Sequence, residues 1–140
     1  MINFKEYFVS KVKNDTLLAS YITDSSGNIN IYPNSVDLLP ERFPCITFLE
    51  VGTTVKSIPR GMYIGILQVD IWSNLNEMEI ETIEGRLTQL FNYRDSTQDS
   101  LTGTLWWVRV NGEREETVSS RKLWKKSIDL KYWFSNPDNL

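Results

Sequence analysis

The sequence contains no histidine. The commonest general base and the commonest metal ligand are therefore missing, and carboxylates are the groups left to weigh. There is one cysteine, Cys45, which excludes an intrachain disulfide and a thiolate-held metal cluster. A lone thiol suits a reducing interior such as the cytosol. Between Pro44 and Ile46, Cys45 reads as the start of a buried strand, with no histidine to activate it as a nucleophile. Basic residues are not in excess: 15 Lys and Arg stand against 18 Asp and Glu, a net charge of −3, which argues against a nucleic-acid binder. No apolar run reaches the roughly 18 residues that a membrane span needs. The first stretch, "MINFKEYFVSKVKND", is charged throughout and has no signal-peptide core. The expectation is a soluble chain made in the cytoplasm, with no membrane partner.

What is present fits one folded domain. The chain has 140 residues, of which 41% are hydrophobic and 12% aromatic, so it is long enough and apolar enough for a real core. No repeat or low-complexity tract interrupts it. One domain over residues 1–140 is expected, with a helical segment at 3–22, a sheet and covering helix at 29–134, and a frayed tail at 135–140.

Hydrophobic periodicity supplies the elements. Phe4, Phe8, Val12, Leu17, Leu18 and Tyr21 fall near helical spacing, and Asn14-Asp15 offers a cap for a second short helix from Thr16. The run Ser25-Ser26-Gly27-Asn28 marks a turn before a short extended "INIYP". The stretch "NSVDLLPERFP" holds two prolines and reads as an irregular connection. "CITFLEVG" predicts a buried strand, "TTVKSIPRG" a polar loop, and "MYIGILQVDIW" a long strand, together a hairpin. Asn76 with Glu79 resembles a capping pair; Ile80, Ile83, Leu87, Leu90 and Phe91 then form one apolar stripe, with Glu77, Glu81 and Glu84 expected to face away. Residues 93–103 read as a second polar loop. In "TLWWVRVNGEREETV" the Asn111-Gly112 pair is a turn signal, and "KLWKKSIDLKYWF" is a final strand with Ile128, Leu130, Tyr132 and Phe134 on one face. The order α–β–β–β–α–β–β–β gives an α+β class: a mainly antiparallel mixed sheet with helices packed on one face.

Four features invite a functional reading. Asp70 sits in "LQVDIW", where Leu67, Val69 and Ile71 alternate with Gln68, Asp70 and Trp72. The plain reading is an outward polar position. A metal-dependent nuclease would use acids such as Asp37, Glu50 and Asp70, but Gly52 stands where a lysine of the Glu-x-Lys pattern belongs. "GTTVKSIPRG" holds Lys56 and Arg60 but leads into a strand, so no helix N-terminus is offered to a phosphate. "RKLWKK" at 121–126 interleaves cations with Trp124, as a nucleic-acid site does. "EREE" at 113–116 lies just before it, and a hairpin would pair the two charge against charge. Lastly, Trp106 and Trp107 point to opposite faces, and Trp72 and Trp133 fall on the polar phase of their strands, so another layer or another subunit must cover some of them.

The succession "IYP", "FPCITF", "LQVDIWS", "IETIEGRLTQLF" and "KSIDLKYWF" resembles the tail-terminator (tail-completion) proteins of long-tailed bacteriophages and related prophages, over residues 3–134. The resemblance implies a sheet flanked by helices and a virion structural protein with no enzymatic role and no cofactor or metal. It implies a ring, usually a hexamer, on the head-proximal end of the tail. The ring stops polymerisation of the major tail tube protein and presents the surface that joins the head–tail connector. DNA passes only transiently through its lumen. A ring needs two different surfaces of each subunit to meet. The candidate subunit or tube contacts are Thr53, Lys56, Arg60, Asp70, Trp72, Trp107 and Trp133, with Lys56 and Arg60 placed to line the lumen. The competing readings are another head–tail connector or minor tail protein of similar size, and the nuclease using Asp37, Glu50 and Asp70.

Overall fold

A computed structural model describes the backbone of residues 4–34, 42–56, 62–92, 104–118 and 123–135; side chains are described for the same residues except 52–56, 62, 63, 104–118, 134 and 135. The elements run α1 (Phe4–Asn14), α2 (Thr16–Tyr21), β1 (Ile31–Pro33), β2 (Cys45–Lys56), β3 (Met62–Ser73), α3 (Glu77–Phe91), β4 (Thr104–Val118) and β5 (Leu123–Ser135). The strands form one sheet in the order β1-β2-β3-β5-β4. Only β1 runs parallel to its neighbour; the other pairs are antiparallel, which makes the fold α+β as the residue pattern predicts.

Helix α1 stops where Asp15 turns extended (φ −84°, ψ 107°), and the same residue caps α2 by accepting the Leu18 N–H at 2.8 Å. The expected second helix therefore begins at its expected cap. Phe4, Tyr7, Phe8 and Val12 lie on one face of α1 and are buried. Phe8 meets Phe48 of β2 edge-on at 5.7 Å and Phe91 of α3 at 5.1 Å. This aromatic knot packs α1 and α3 on the same sheet face, over Leu67, Val69, Ile71, Ile128 and Leu130.

A second tie is polar. Arg86 of α3 grips Asp15 with two bonds, Nε to Oδ2 at 2.9 Å and Nη2 to Oδ1 at 2.6 Å. The guanidinium, with help from the Leu18 N–H, holds the Asp15 carboxyl below its ordinary value. Glu84, expected to face away from the sheet, instead forms an ion pair with Lys126 of β5, and both are largely buried. Helical phase decides this: Glu84 follows Ile83 at the margin of the apolar stripe, above the one basic position on the helix-facing side of β5.

Three further expectations change. Residues 53–56 are not loop but the second half of β2, and a bulge between Glu50 and Gly52 lets the strand continue in register with β3. Asn111-Gly112 makes no turn. It sits at a bulge inside β4, where Val110 faces Leu130 and Gly112 faces Asp129, so the three strands expected at the C-terminal end are two long ones. The expected charge pairing holds at the level of register: Glu115 is opposite Lys126 and Glu116 opposite Lys125.

Gly65 is required by close approach. Its strand partner is Tyr132, whose ring lies over it and stacks on Phe4 at 3.9 Å, while the phenol donates to Glu50. A Cβ on Gly65 would overlap that ring, and the ring is held from three sides. Gly65→Ala is expected to destabilise the fold by about 2 kcal/mol, read as a lower urea midpoint at unchanged m. The Arg86 clamp makes an acid-side prediction. Stability from a depressed Asp15 is complete above the ordinary carboxylate value of about 4 and is lost as pH falls through the folded value. Arg86→Gln should therefore lower the urea midpoint at pH 7, with the gap to wild type closing as pH falls below about 4.

Candidate functional site

The polar phase of β3 meets those of β2 and β5 on the sheet face opposite the helices. Asp70 has Thr47 as its partner on one side and Ser127 on the other; Trp72 lies between Cys45 and Lys125 in the next row. The Ser127 hydroxyl donates to Asp70 Oδ1 at 2.5 Å, and Gln68 Nε2 donates to the same oxygen at 3.1 Å. Lys125 Nζ stands 4.0 Å from Asp70 Oδ2 and 5.1 Å from the centre of the Trp72 ring. The Trp72 indole donates to Thr47 Oγ1 at 3.0 Å.

The expectation that Asp70 is an outward, wet position is corrected by this arrangement. Asp70 is 1% exposed, Thr47 1%, Ser127 4% and Trp72 4%. Period-two phase rightly puts Asp70 and Trp72 on the face away from the helices, but phase alone does not say that the face is solvated. Trp72 of the same strand and Thr47 and Ser127 of its two neighbours pack around the carboxyl, and Ser127 and Gln68 donate its hydrogen bonds. Cys45 is fully buried beside them, and burial pushes its thiol up to about 12, the inert state of a core cysteine.

The other candidate contacts lie at the opposite end of the sheet. Thr53 pairs with Gly65 and Lys56 with Met62 in β2–β3, while Trp107 is opposite Trp133 in β4–β5. Trp133 is half-buried, with Lys131 Nζ 5.3 Å from its ring centre. Arg60 and Asp37 lie outside the described residues, as do the 93–103 loop and the Arg121 end of the basic run. Of the acids of the nuclease reading, the two among the described residues, Glu50 and Asp70, are not brought together. Glu50 faces the helices and accepts the Tyr132 hydroxyl, whereas Asp70 is on the other face. Among the described residues no group of three or more His, Cys, Asp or Glu side chains is placed to hold a metal.

Two surface features escape periodicity arguments. The first is a groove of 750 Å³ between α1 and the β1–β2 edge, lined by Lys5, Glu6, Val9 and Ser10 from the helix and by Pro33, Asn34 and residues 48–50 from the strands. The second is the β3–α3 turn, where Leu75 is 64% and Met78 69% exposed. The hydroxyl of buried Ser73 accepts the N–H groups of Leu75 and Asn76 at 3.0 and 3.3 Å and donates to Glu79 Oε1 at 2.7 Å. Asn76 Oδ1 accepts the Glu79 N–H at 2.9 Å. The expected Asn76–Glu79 cap is thus made in one direction, with Ser73 taking the return bond. A leucine between two asparagines and a methionine off the Ile80–Ile83–Leu87 stripe were the available sequence signals for this exposed pair.

Removing the Asp70 carboxyl strands the Ser127 hydroxyl in a dry site. Asp70→Ala should cost about 2–3 kcal/mol and Asp70→Asn, which keeps an acceptor oxygen, about half as much, measured by urea unfolding.

No protein-family model matches the chain, and neither does any curated protein. The fold does have solved neighbours. A chain from a structure described as the virion of a native gene transfer agent (GTA) particle superposes with a TM-score of 0.70 at 10% sequence identity, covering 92% of this chain and 92% of that one. At that identity the likeness establishes a shared fold over nearly the whole of both chains.

Proposed function

We propose that this chain is a structural protein of a virion, and within it a tail terminator. Its subunits form a ring, six copies in the family it resembles, that caps the head-proximal end of the tail tube, stops the tube from growing and offers the surface to which the head–tail connector binds. The observation that carries this reading is the fold likeness to a chain from a virion, over 92% of both chains. The series of motifs from "IYP" to "KSIDLKYWF" supports the narrower terminator assignment independently, since it rests on sequence and not on superposition.

The chemistry of the chain is in keeping with a scaffold. Its central carboxyl is spent on a buried hydrogen-bond network, its cysteine is inert, and Glu50 and Asp70 stand on opposite faces of the sheet. In this reading the protein is not an enzyme, and it acts by shape: a closed ring ends a polymer by occupying the growing face without recreating it.

The test is tube growth. Purified tube protein of the same particle, polymerising in the presence of increasing amounts of this chain, should give progressively shorter tubes. Each should carry one added ring at a single end, of about 98 kDa for six 16.3 kDa copies. Tubes of unchanged length, or chain bound along their sides, would refute the terminator assignment.

A further inference from the structure

We infer that the buried Asp70–Ser127 bond is the register pin of the sheet. It holds β5, and β4 with it, against a two-residue slip along β3 that the neighbouring rows of side chains would accept. The pin secures a single shape for the subunit, with or without a ring.

A one-residue slip is excluded at once, because it turns the apolar side chains of β5 away from the helices. A slip of two residues keeps each side chain on its own face, and the helix-facing rows offer little against it. Leu67, Val69 and Ile71 are opposite Leu130, Ile128 and Lys126. Moved by two, they would face Tyr132, Leu130 and Ile128, so the core side stays apolar. Phe134 would replace Tyr132 opposite Gly65, an aromatic for an aromatic over the same glycine. Lys126 would move from Ile71 to Ser73, whose hydroxyl already meets Glu79, so a carboxylate stands near it in either register. A slip the other way fails on this side, because it draws Lys126 into the apolar row opposite Val69.

On the face away from the helices three rows are equally permissive. Ile66 would exchange Lys131 for half-buried Trp133, Gln68 would exchange Asp129 for Lys131, and Trp72 would exchange Lys125 for Ser127. The row of Asp70 is the exception. It would exchange Ser127 for Asp129 and set two carboxylates side by side, one of them 1% exposed. Like charges directly opposite on neighbouring strands repel, and a site without water does little to screen them. In the observed register the same carboxyl instead accepts the Ser127 hydroxyl at 2.5 Å and Gln68 Nε2 at 3.1 Å, with Lys125 Nζ 4.0 Å away. Fixing register is the best-attested use of a buried polar pair among apolar neighbours. The stake is large, since two residues of strand span about 7 Å. A slip would carry β4 and β5 that far past β2 and the helices.

Disulfide trapping reads the register directly, because the chain's one natural thiol, Cys45, is buried and unreactive. Ile66→Cys with Lys131→Cys joins partners of the observed register, and Gln68→Cys with Lys131→Cys joins partners of the slipped one. Asp70→Thr is the test substitution. A threonine there can share a hydrogen bond with Ser127 or with Asp129, so it favours neither register and leaves Ser127 a partner. On mild oxidation of the chain that keeps Asp70, the 66–131 pair should close and the 68–131 pair should lag. With Asp70→Thr the 68–131 pair should close about tenfold faster than it does beside Asp70, counted by mass spectrometry as loss of alkylatable thiol. If that pair closes no faster, the register is held without the carboxyl and Asp70 is not the pin. If Asp70→Thr leaves no folded sheet signal in circular dichroism, the carboxyl serves stability alone, and the pin is refuted in that case too.

Discussion

A twisted sheet has two faces to protect, and here the described helices pack on only one of them. Everything else in the structure answers to that constraint. The helix-facing side is apolar in the ordinary way, with Leu67, Val69, Ile71, Ile128 and Leu130 in the core. On the other side the usual sorting is reversed. Polar Thr47, Asp70 and Ser127 are buried, while Leu49 and Val51, further along β2, are 42% and 56% exposed. A buried polar group and an exposed apolar one are the informative departures from simple burial rules. The first is made tolerable by mutual hydrogen bonding across three strands. The second leaves apolar surface at the edge where the α1 groove opens.

The helical layer is held by contacts of different chemistry that converge on α3. Phe8 links α1 to both β2 and α3, Arg86 links α3 to the α1–α2 corner, and Lys126 links α3 to β5. The start of α3 is then a fixed point, because its body is tied to the sheet and its first turn is locked by Ser73. That rigidity is what allows two apolar side chains to be displayed at a defined place. Stability and display are two consequences of the same packing.

Much of this was legible in the residues. The α1–α2 break at Asp15, the IYP strand, the long β3, the cap at Asn76 and the buried Cys45 all follow from local chemistry: a capping carboxylate, a proline, an alternating run, an asparagine before a helix. What periodicity could not supply was anything set by a neighbour in space. Asn111-Gly112 has the composition of a hairpin turn, yet long pairing with β5 turns it into a bulge. Residues 53–56 are polar enough for a loop, yet β3 extends them as a strand. Glu84 looks solvated on a helical wheel until Lys126 is placed beneath it. Asp70 looks wet until Trp72, Thr47 and Ser127 close around it. Of the candidate contacts, Asp70 and Trp72 lie at one end of the sheet, and Thr53, Lys56, Trp107 and Trp133 are placed by strand register at the other. The α1–β2 groove and the exposed Leu75 and Met78 are not legible in the residues, because the first is assembled from elements far apart in sequence and the second lie off the phase of the apolar stripe.

In the proposed role the protein is a building block that acts by its shape, with a fold shared over 92% of both chains with a virion chain and an inert interior. That role fixes a location. Electron microscopy of assembled particles carrying a gold-labelled copy of this chain measures that location directly. Label is expected at one place per particle, where the tail joins the head. Label spread along the tail, on the head shell, or absent from purified particles would contradict it.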